Sequence, residues 1–561
     1  MLVLHSHMPY VLSHGKSPHG TDWLDESAAE CYLPLLSALD RLEQEGIKPR
    51  WTVNVTPILA EQLEDPAWKD GFVAYCDEKI AASRDDRVGF RAANDLTLEG
   101  LGAFWERIYT RARDEFTGRW GRSIVGGFRH FQEAGLIEII TSGATHGYQP
   151  LMATDESCRA QIRLGMATHR KHFGENPRGM WLPECAYRPA YDWKSPVEDD
   201  AVPEPRASTD EVAASEGIEF FFVDSHMIRG GAPLGTYGSK FPQLAELFAR
   251  SSKNFTPPAE YRSEYEHYRL PTGVTIFARD PETTVKVWSG DVGYPGDPAY
   301  LEFHKQLYPG RLKYWRISEN KADLGQKAPY DPWRAYEQVT SHAKDMVEVV
   351  KTTLGRYRGT AGRAGTIVAM YDTELFGHWW WEGPEFLYEL GREMAKSGEV
   401  EMVSASDVID TDPARHTITL PEGSWGEGGY HHIWLNEDNA WTWRRLYPAE
   451  RTLTGIVAGG VDARGEEFLA QAGRELLLAE ASDWQFLIST QAARDYAEIR
   501  FTDHMDRFER LVGIYRRTVD GAEPTAEERT FLEDCRAKDA PFADLDLAHW
   551  NPLPTPTTPS L

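Results

Sequence analysis

Short apolar segments that alternate with longer amphipathic ones constrain the fold of this chain more than any other feature. Each apolar segment has the length of a buried β-strand, and helix-length patterns such as residues 28–45 and 333–353 lie between several of them. Strands that alternate with helices are typical of parallel βαβ units, and a series of this length favours a closed α/β barrel over an open doubly wound sheet. The predicted strands are residues 1–4, 50–55, 137–141, 179–182, 219–223, 274–278, 366–370 and 400–403.

Changes in composition and in hydrophobic pattern along the 561 residues predict more than one domain, as does the length itself. Residues 1–412 hold the barrel pattern, which is interrupted by an acidic, proline-bearing insertion at 188–226 and by a tyrosine-rich loop at 227–270 that we interpret as a lid. Helical patterning over 413–545 predicts a helical C-terminal domain. Residues 546–561 are rich in proline and threonine, and we expect a disordered tail there.

The composition excludes several classes of partner. A formal net charge of −27 repels phosphate backbones and anionic lipids, so we expect neither nucleic acid nor a membrane as the partner. The five cysteines are widely spread without a CxxC pair, which favours neither a disulfide framework nor a structural zinc site. Because no signal peptide or membrane span is visible either, we expect a cytoplasmic protein, with a monomer as the simplest oligomeric state.

Polar clusters follow four of the predicted strands directly. Because the C-terminal ends of parallel barrel strands meet at one mouth, we expect these clusters to form a single site. The clusters are HSH at residues 5–7, GATHG at 143–147, ECAY at 184–187 and YDTE at 371–374.

Two acids in these clusters, Glu184 and Asp372, are the candidate catalytic pair. Two carboxyl groups that face a shared mouth are the minimum requirement for cleaving a glycosidic bond. Each acid has aromatic neighbours, which would raise its pKa and favour a proton-donor role, but the residues alone do not say which acid has that role. Glu374 competes with Asp372 and is assigned a supporting position. The structural alternative is that either acid caps a helix or pairs with a barrel arginine.

Three histidines near these acids admit two interpretations. An HxH motif after a first strand is how metal-dependent amidohydrolases and deacetylases present zinc ligands, and Asp372 or His378 could complete such a set. Alternatively, His5, His7 and His146 donate and accept hydrogen bonds with sugar hydroxyls beside the paired carboxylates. We favour the second interpretation and predict an enzyme that needs neither metal nor cofactor.

Two nucleophile hypotheses have little support. Cys185 lies beside Glu184, but no basic residue or helix N-terminus that would lower its pKa is apparent. Asp372, His378 and Ser404 could form a hydrolase triad, yet the sequence lacks the GxSxG motif that accompanies one.

The 19 tryptophans exceed what the core of a soluble protein normally needs. Flat aromatic rings in loops stack on the apolar faces of pyranose rings, so a row of them favours an oligomeric or polymeric glycan as substrate. The structural alternative is that about half of them join the helical domain to the barrel. The candidates are Trp23, Trp288, Trp379, Trp425 and Trp434.

Taken in order, the motifs resemble those of glycoside hydrolase family 57, and most closely those of its 1,4-α-glucan branching enzymes. They are HSHMPY at 5–10, ATHGY at 144–148, WLPECAY at 181–187 and YDTELFGHWW at 371–380. The resemblance extends over nearly the whole chain, because it includes SWGEGG at 424–429 and ASDWQFLIST at 481–490.

This resemblance implies a distorted, TIM-like (β/α)7 barrel with a small insertion and a helical C-terminal domain that closes over the glucan. It assigns Glu184 as the nucleophile and Asp372 as the general acid/base, with their carboxyl groups about 5 to 5.5 Å apart. It makes Tyr237 the tyrosine of the lid. The other glucan-binding positions that it implies are Arg279, Gly296, Trp425, Asp483 and Gln491.

The sequence therefore predicts a retaining enzyme of glycogen biosynthesis that cleaves α-1,4-glucan, such as amylose, and transfers the chain to a 6-hydroxyl. A closing lid fits this activity, because the sugar 6-hydroxyl must compete with water for the glycosyl intermediate. An α-amylase or a 4-α-glucanotransferase of the same family is the nearest alternative. A metal-dependent deacetylase and a non-catalytic glycan-binding protein are the alternatives from other classes.

Overall fold

The computed structural model describes residues 1–230, 262–319 and 322–552. Seven parallel strands form the central sheet in the order β10-β1-β2-β3-β4-β7-β9, and β8 pairs antiparallel with β9 at one edge. These strands are β1 Leu2–Ser6, β2 Trp51–Val55, β3 Ile137–Ser142, β4 Gly179–Trp181, β7 Phe220–Val223, β8 Tyr268–Arg269, β9 Thr275–Ala278 and β10 Ala369–Asp372.

The sheet curls into the distorted barrel that the sequence predicts. Its two ends approach each other where the backbone N–H of Asp280, just after β9, donates to the carbonyl of Val368, just before β10, at 2.9 Å. All residues of β1 and β2 are buried, as expected for strands of a parallel sheet that are covered on both faces. The buried polar residues among them, such as His5 and Asn54, bond each other at 2.7 Å. The fold class is therefore confirmed.

Helices surround the barrel and cover its outer face. Gly165 shows how closely they pack, because a Cβ atom at that position would lie 2.3 Å from the carbonyl oxygen of Ser142 on β3. The barrel helices of seven or more residues are Thr21–Ser27, Leu33–Gln44, Pro57–Glu64, Pro66–Ala92, Leu96–Asp114, Ile124–Glu133, Asp155–Phe173, Thr209–Ser215, Pro281–Trp288, Pro332–Ala361, Gly383–Ser397 and Ala405–Thr411.

Seven of the eight predicted strands are present, and the prediction of a strand at 400–403 is wrong. This segment leads directly into helix Ala405–Thr411, whose N-terminus is closed by reciprocal hydrogen bonds between Ser404 and Asp407. Val403 packs against the core without a strand partner, so its apolar character reflects burial alone.

Three predicted boundaries differ from the structure. The insertion contains the hairpin of β5 (Tyr191–Trp193) and β6 (Glu204–Arg206), but it ends before residue 226, because β7 belongs to the central sheet. Of the predicted lid, residues 231–261 lie outside the described part of the chain, and its far end forms β8. In the predicted tail, Leu547–Trp550 forms a helical turn with Trp550 fully buried, and residues 553–561 lie outside the description.

Among the described residues, five helices follow the barrel, and the start of helix Ser482–Thr490 meets its mouth. Their backbone meets the barrel where Ala481 bridges Gly147 and where the Ser482 N–H donates to the carbonyl of His146 at 3.1 Å. The helices are Ala440–Gly459, Glu466–Ala479, Ser482–Thr490, Arg494–Val519 and Ala526–Lys538. None of the described helices combines the length and apolar character that crossing a membrane requires.

Candidate active site

The barrel mouth gathers the polar clusters that follow β1, β3, β4 and β10. The ring centroids of His7 and His146 are 4.1 Å apart, and those of His5 and His146 are 4.9 Å apart. His5 is the register partner of Asp372 across the β1–β10 pair, and His146 Nδ1 lies 3.8 Å from Glu184 Oε1. The structure thus brings these five predicted residues to one place.

Glu184 has a hydrogen-bond donor on each carboxylate oxygen. The indole Nε1 of Trp425 donates to Oε2 at 2.9 Å, and the hydroxyl of Ser482 donates to Oε1 at 2.9 Å. Burial raises the pKa of Glu184 to about 7, while these two donors act against the rise by favouring the ionised form. One donor per oxygen leaves a lone pair free on each, so the carboxylate is oriented and can still attack.

The backbone at this point is strained. His146, Glu184 and Cys185 have positive φ angles of 61°, 59° and 47°, a region that residues other than glycine rarely adopt and that costs about 1–3 kcal/mol each. The strain is held by specific bonds, because the Trp425 N–H donates to the Glu184 carbonyl at 3.1 Å and the Ser482 N–H donates to that of His146. Both donors lie after the barrel in sequence, so the C-terminal part helps to shape the mouth.

Asp372 has a different environment. Burial and the neighbouring carboxyl groups of Glu374 and Glu184 raise the pKa of Asp372 well above its usual value, and only Arg279 acts against the rise. Among the described residues, no hydrogen-bond donor contributes to this shift. These surroundings favour the protonated form, which is the form that a general acid requires.

Glu374 lies close enough to Asp372 to affect its pKa and is held by residues of the barrel. Its Oε1 accepts the hydroxyl of Tyr32 at 2.5 Å and the backbone N–H of His7 at 3.2 Å. Burial raises the pKa of Glu374 to about 7. Its charge state therefore affects Asp372 in the pH range where the enzyme would work.

The three histidines differ in their protonation. Burial lowers the pKa of His5 and His146 well below the usual value, so both are neutral. Burial acts the same way on His7, but the carboxylates of Asp483, Glu374 and Glu184 outweigh it and raise the pKa of His7. The contact with Asp483 is direct, with His7 Nε2 2.9 Å from Asp483 Oδ2.

Arg279 supports the mouth from β9. Its guanidinium donates to Asp224 Oδ2 at 2.6 Å and lies 5.4 Å from the ring centroid of Trp425. Both charged groups are buried, and Arg279 is 2% exposed. Arg279 is therefore well placed to orient Trp425, whose indole donates to Glu184.

The five predicted tryptophans have different environments. Trp425 contacts Glu184, as described above, and Trp379 is 52% exposed beside Phe303. Trp23 is half-buried against Tyr496 of the helical domain. Trp288 and Trp434 are only 4% and 1% exposed, so the prediction that they stack on sugar rings is not supported: Trp288 packs edge-on against Trp425, and Trp434 stacks on Tyr148.

The remaining predicted residues are dispersed. His378 is not in the histidine stack and lies 3.7 Å from Glu26 Oε1. Gly296 ends the helical turn Tyr294–Gly296, and Gln491 is exposed at the end of helix Ser482–Thr490. Tyr237 lies outside the described residues.

Sequence reasoning missed two polar residues of the mouth. Ser482 adjoins Asp483 in the motif ASDWQFLIST at 481–490, but locally it resembles any serine at the start of a helix. Asn54, whose Oδ1 is 2.7 Å from His5 Nδ1, lies inside β2, one residue before its end, and could have been found as a polar residue in the last part of a predicted strand.

Only some of these residues form a possible metal site. His7, His146 and Asp483 offer ligand atoms within 4.8 Å of one another, a donor set that suits zinc. The set considered from the sequence differs, because His378 belongs to another cluster, with Glu26 and Glu30.

The chain is similar to known proteins over nearly its whole length. Residues 1–421 match Glycosyl hydrolase family 57, and residues 445–550 match the family described as 1,4-alpha-glucan branching enzyme, C-terminal. A 1,4-alpha-glucan branching enzyme of Thermococcus kodakarensis is 39% identical over 96% of this chain and 76% of its own length. Its crystal structure, with glucose bound, superimposes with a TM-score of 0.89 at 37% identity, covering 99% of this chain and 96% of that one.

Two further structures are similar over nearly the full length. The branching enzyme of Pyrococcus horikoshii has a TM-score of 0.88 at 38% identity and covers 100% of this chain and 97% of its own. The α-amylase AmyC of Thermotoga maritima has a TM-score of 0.79 at 29% identity and covers 98% of both chains.

Proposed function

The chain belongs to glycosyl hydrolase family 57, and from this membership we propose that it is a 1,4-α-glucan branching enzyme. It cleaves an α-1,4 linkage of a glucan and transfers the released chain to a sugar 6-hydroxyl. The observation that carries the proposal is that residues 445–550 match the C-terminal domain of branching enzymes, in addition to the hydrolase match over 1–421.

In the first step, Glu184 attacks the anomeric carbon while the bond to the leaving oxygen breaks. Asp372 gives its proton to that oxygen, and a covalent glycosyl-enzyme remains. The contrast between the two acids supports this assignment, because Glu184 has two donors that favour its ionised form, whereas Asp372 has carboxyl neighbours that favour its protonated form. We propose the retaining separation of about 5 to 5.5 Å between the two carboxyl groups.

In the second step, the Asp372 carboxylate takes the proton of a 6-hydroxyl, whose oxygen attacks the anomeric carbon and displaces Glu184. Two inversions leave the anomeric configuration unchanged. We propose that the predicted loop at 227–270, with Tyr237, excludes water during this step, so that a sugar is the acceptor.

The substrate contacts come from the rest of the mouth. We propose that neutral His5 and His146 exchange hydrogen bonds with sugar hydroxyls, together with His7 and Asp483. Trp379 offers an exposed ring face for a glucan, and Trp23 a partly exposed one.

We also propose that the protein is cytoplasmic, acts in glycogen biosynthesis and works as a monomer. The five cysteines are buried and free, which suits a reducing compartment.

Incubation with amylose tests the function. Branching predicts loss of iodine colour, new α-1,6 signals in NMR and few new reducing ends, and Glu184→Gln should abolish all three changes. The similarity to an α-amylase makes hydrolysis the second candidate. Abundant reducing ends without α-1,6 signals would support hydrolysis and reject branching, and loss of activity on addition of a chelator would indicate a metal-dependent reaction.

A further inference from the structure

The first residue of helix Ser482–Thr490 connects two residues of the barrel mouth. The hydroxyl oxygen of Ser482 lies 2.9 Å from Glu184 Oε1 and 2.9 Å from His146 Nδ1. Ser482 is fully buried, so these contacts are not exchanged with bulk water. Its own backbone N–H donates to the carbonyl of His146, which fixes the helix end against the barrel loop.

The direction of these hydrogen bonds follows from counting protons. The Ser482 hydroxyl has one hydrogen, and the ionised carboxylate of Glu184 can only accept, so the hydroxyl donates to Glu184. The same hydroxyl must then accept from His146, which places the imidazole hydrogen on Nδ1. The Nε2 of His146 is left as an acceptor, and it is buried without a hydrogen-bond partner among the described residues.

We propose that Ser482 is a positioning residue that orients the nucleophile Glu184 and fixes the tautomer of His146. This proposal rests on the function proposed above and goes further, because it assigns a role to a residue of the helical domain. The bare Nε2 of His146 is then ready to accept a hydrogen bond from a substrate hydroxyl.

The proposal also gives the helical domain a part in the chemistry. The hydrolase family match ends at residue 421, yet both donors to Glu184, Trp425 and Ser482, follow that point in the chain. The barrel therefore presents the nucleophile, and the C-terminal part holds it in position.

Three substitutions at residue 482 test the proposal. Ser482→Ala removes the donor, and loss of a hydrogen bond to a charged group predicts a fall in kcat/KM of about 10- to 100-fold. The acidic limb of the pH profile should move to higher pH, since the ionised form of Glu184 loses support. Ser482→Thr keeps the hydroxyl and should restore both properties, and Ser482→Cys, a weaker donor, should give intermediate values.

Ser489→Ala is the matched control, because it removes another buried hydroxyl from the same helix. Ser489 bonds Asn436, Asn439 and the carbonyl of Ile433, all away from the carboxylates. The Ser489→Ala variant should have a lower thermal midpoint than the wild type and an unchanged pH profile of kcat/KM.

A second measurement does not depend on catalysis. Carbodiimide labels protonated carboxyl groups, so the pH midpoint for labelling Glu184, read by mass spectrometry, should move upward in Ser482→Ala and return in Ser482→Thr. An unchanged midpoint in Ser482→Ala, or the same shift in Ser489→Ala, would overturn the proposal. A wild-type chain that does not act on α-glucan would instead reject the proposed function, and the labelling result would still decide the role of Ser482.

Discussion

The indole nitrogen of Trp425 lies 2.9 Å from Glu184 Oε2, and the backbone N–H of the same tryptophan donates to the Glu184 carbonyl at 3.1 Å. One residue thus fixes both the side chain and the strained backbone of Glu184, the proposed nucleophile. The Trp425 ring is in turn held between Trp181 and Trp288, with centroid distances of 5.0 and 5.7 Å.

Trp425→Phe separates the hydrogen bond from the packing. It keeps an aromatic ring between its neighbours and removes the indole N–H together with part of the ring, so we expect kcat/KM to fall by about 10- to 100-fold with the fold intact. Steady-state cleavage of maltooligosaccharides and thermal melting measure the two effects. Trp181→Phe is the control, since the indole nitrogen of Trp181 has no hydrogen-bond partner among the described residues. An equal loss in both variants would contradict a specific role for the Trp425 N–H.

The roles proposed for Glu184 and Asp372 predict opposite anomers of the product when azide replaces the missing carboxylate. In Glu184→Ala, azide attacks the anomeric carbon directly and should give the β-glycosyl azide. In Asp372→Ala, Glu184 still forms the glycosyl-enzyme, and azide should then give the α-glycosyl azide by double displacement. An activated α-glycosyl fluoride as donor removes the need for an acid, and NMR of the products identifies the anomer. Exchanged anomers would reverse the assignment of the two acids.

The sequence specified much of this site because its functional residues lie at strand ends. His5, Glu184 and Asp372 each follow an apolar run directly, and a parallel barrel brings such positions together wherever its helices lie. Ser482 could not be chosen in the same way, because a serine at the start of a helix is usually a simple cap. Its role depends on how the helical domain docks, which is a tertiary property that no local pattern encodes.

Tryptophan burial was the least predictable feature. Trp288, Trp425 and Trp434 all lie near glycine-rich sequence, which suggested exposed loops. In the structure, Trp434 fills the space above Gly426, where a Cβ atom would lie 2.6 Å from its ring, so the glycine makes room for a buried indole. Tryptophan near glycine-rich sequence is therefore compatible both with an exposed ring and with a buried one, and only the tertiary contacts distinguish the two cases.

Glu374 should set the basic limb of the pH–rate profile. Asp372 must be protonated to act as the acid, and the adjacent Glu374 carboxylate raises its pKa. Glu374→Gln removes that charge, so the pKa of Asp372 falls and the basic limb of kcat/KM should move to lower pH. Glu184 must be ionised, and its pKa of about 7 places the acidic limb near neutrality.

The exposed Glu78 provides a control for this profile, because Glu78→Gln changes net charge equally on a solvated surface. It should leave both limbs in place. A pH–rate profile of Glu374→Gln in which neither limb moves would contradict the prediction. Because the carboxyl groups interact, each limb reports an apparent pKa of the coupled set and not of one residue.

The buried pair of Arg279 and Asp224 should contribute strongly to stability. Removing one partner of such a pair leaves an uncompensated buried charge, so Asp224→Ala should lower the free energy of unfolding by about 3–5 kcal/mol. Arg279 and His226 hold the pKa of Asp224 below its usual value in spite of burial. This contribution is therefore present above the unfolded-state pKa of about 3.9 and is lost as the pH falls through the lower folded-state pKa.

Thermal melting of the wild type and of Asp224→Ala between pH 3 and pH 7 measures this contribution. The difference in stability between the two proteins should become smaller below pH ~4. The exposed pair of Lys16 and Glu78 is the control, because disrupting a solvated ion pair costs about 0–1 kcal/mol at any pH. A loss of stability in Asp224→Ala that is as small as the control's would contradict the prediction. Because Arg279 lies 5.4 Å from the ring centroid of Trp425, we also expect Asp224→Ala to lower kcat/KM by weakening the hold of Trp425 on Glu184.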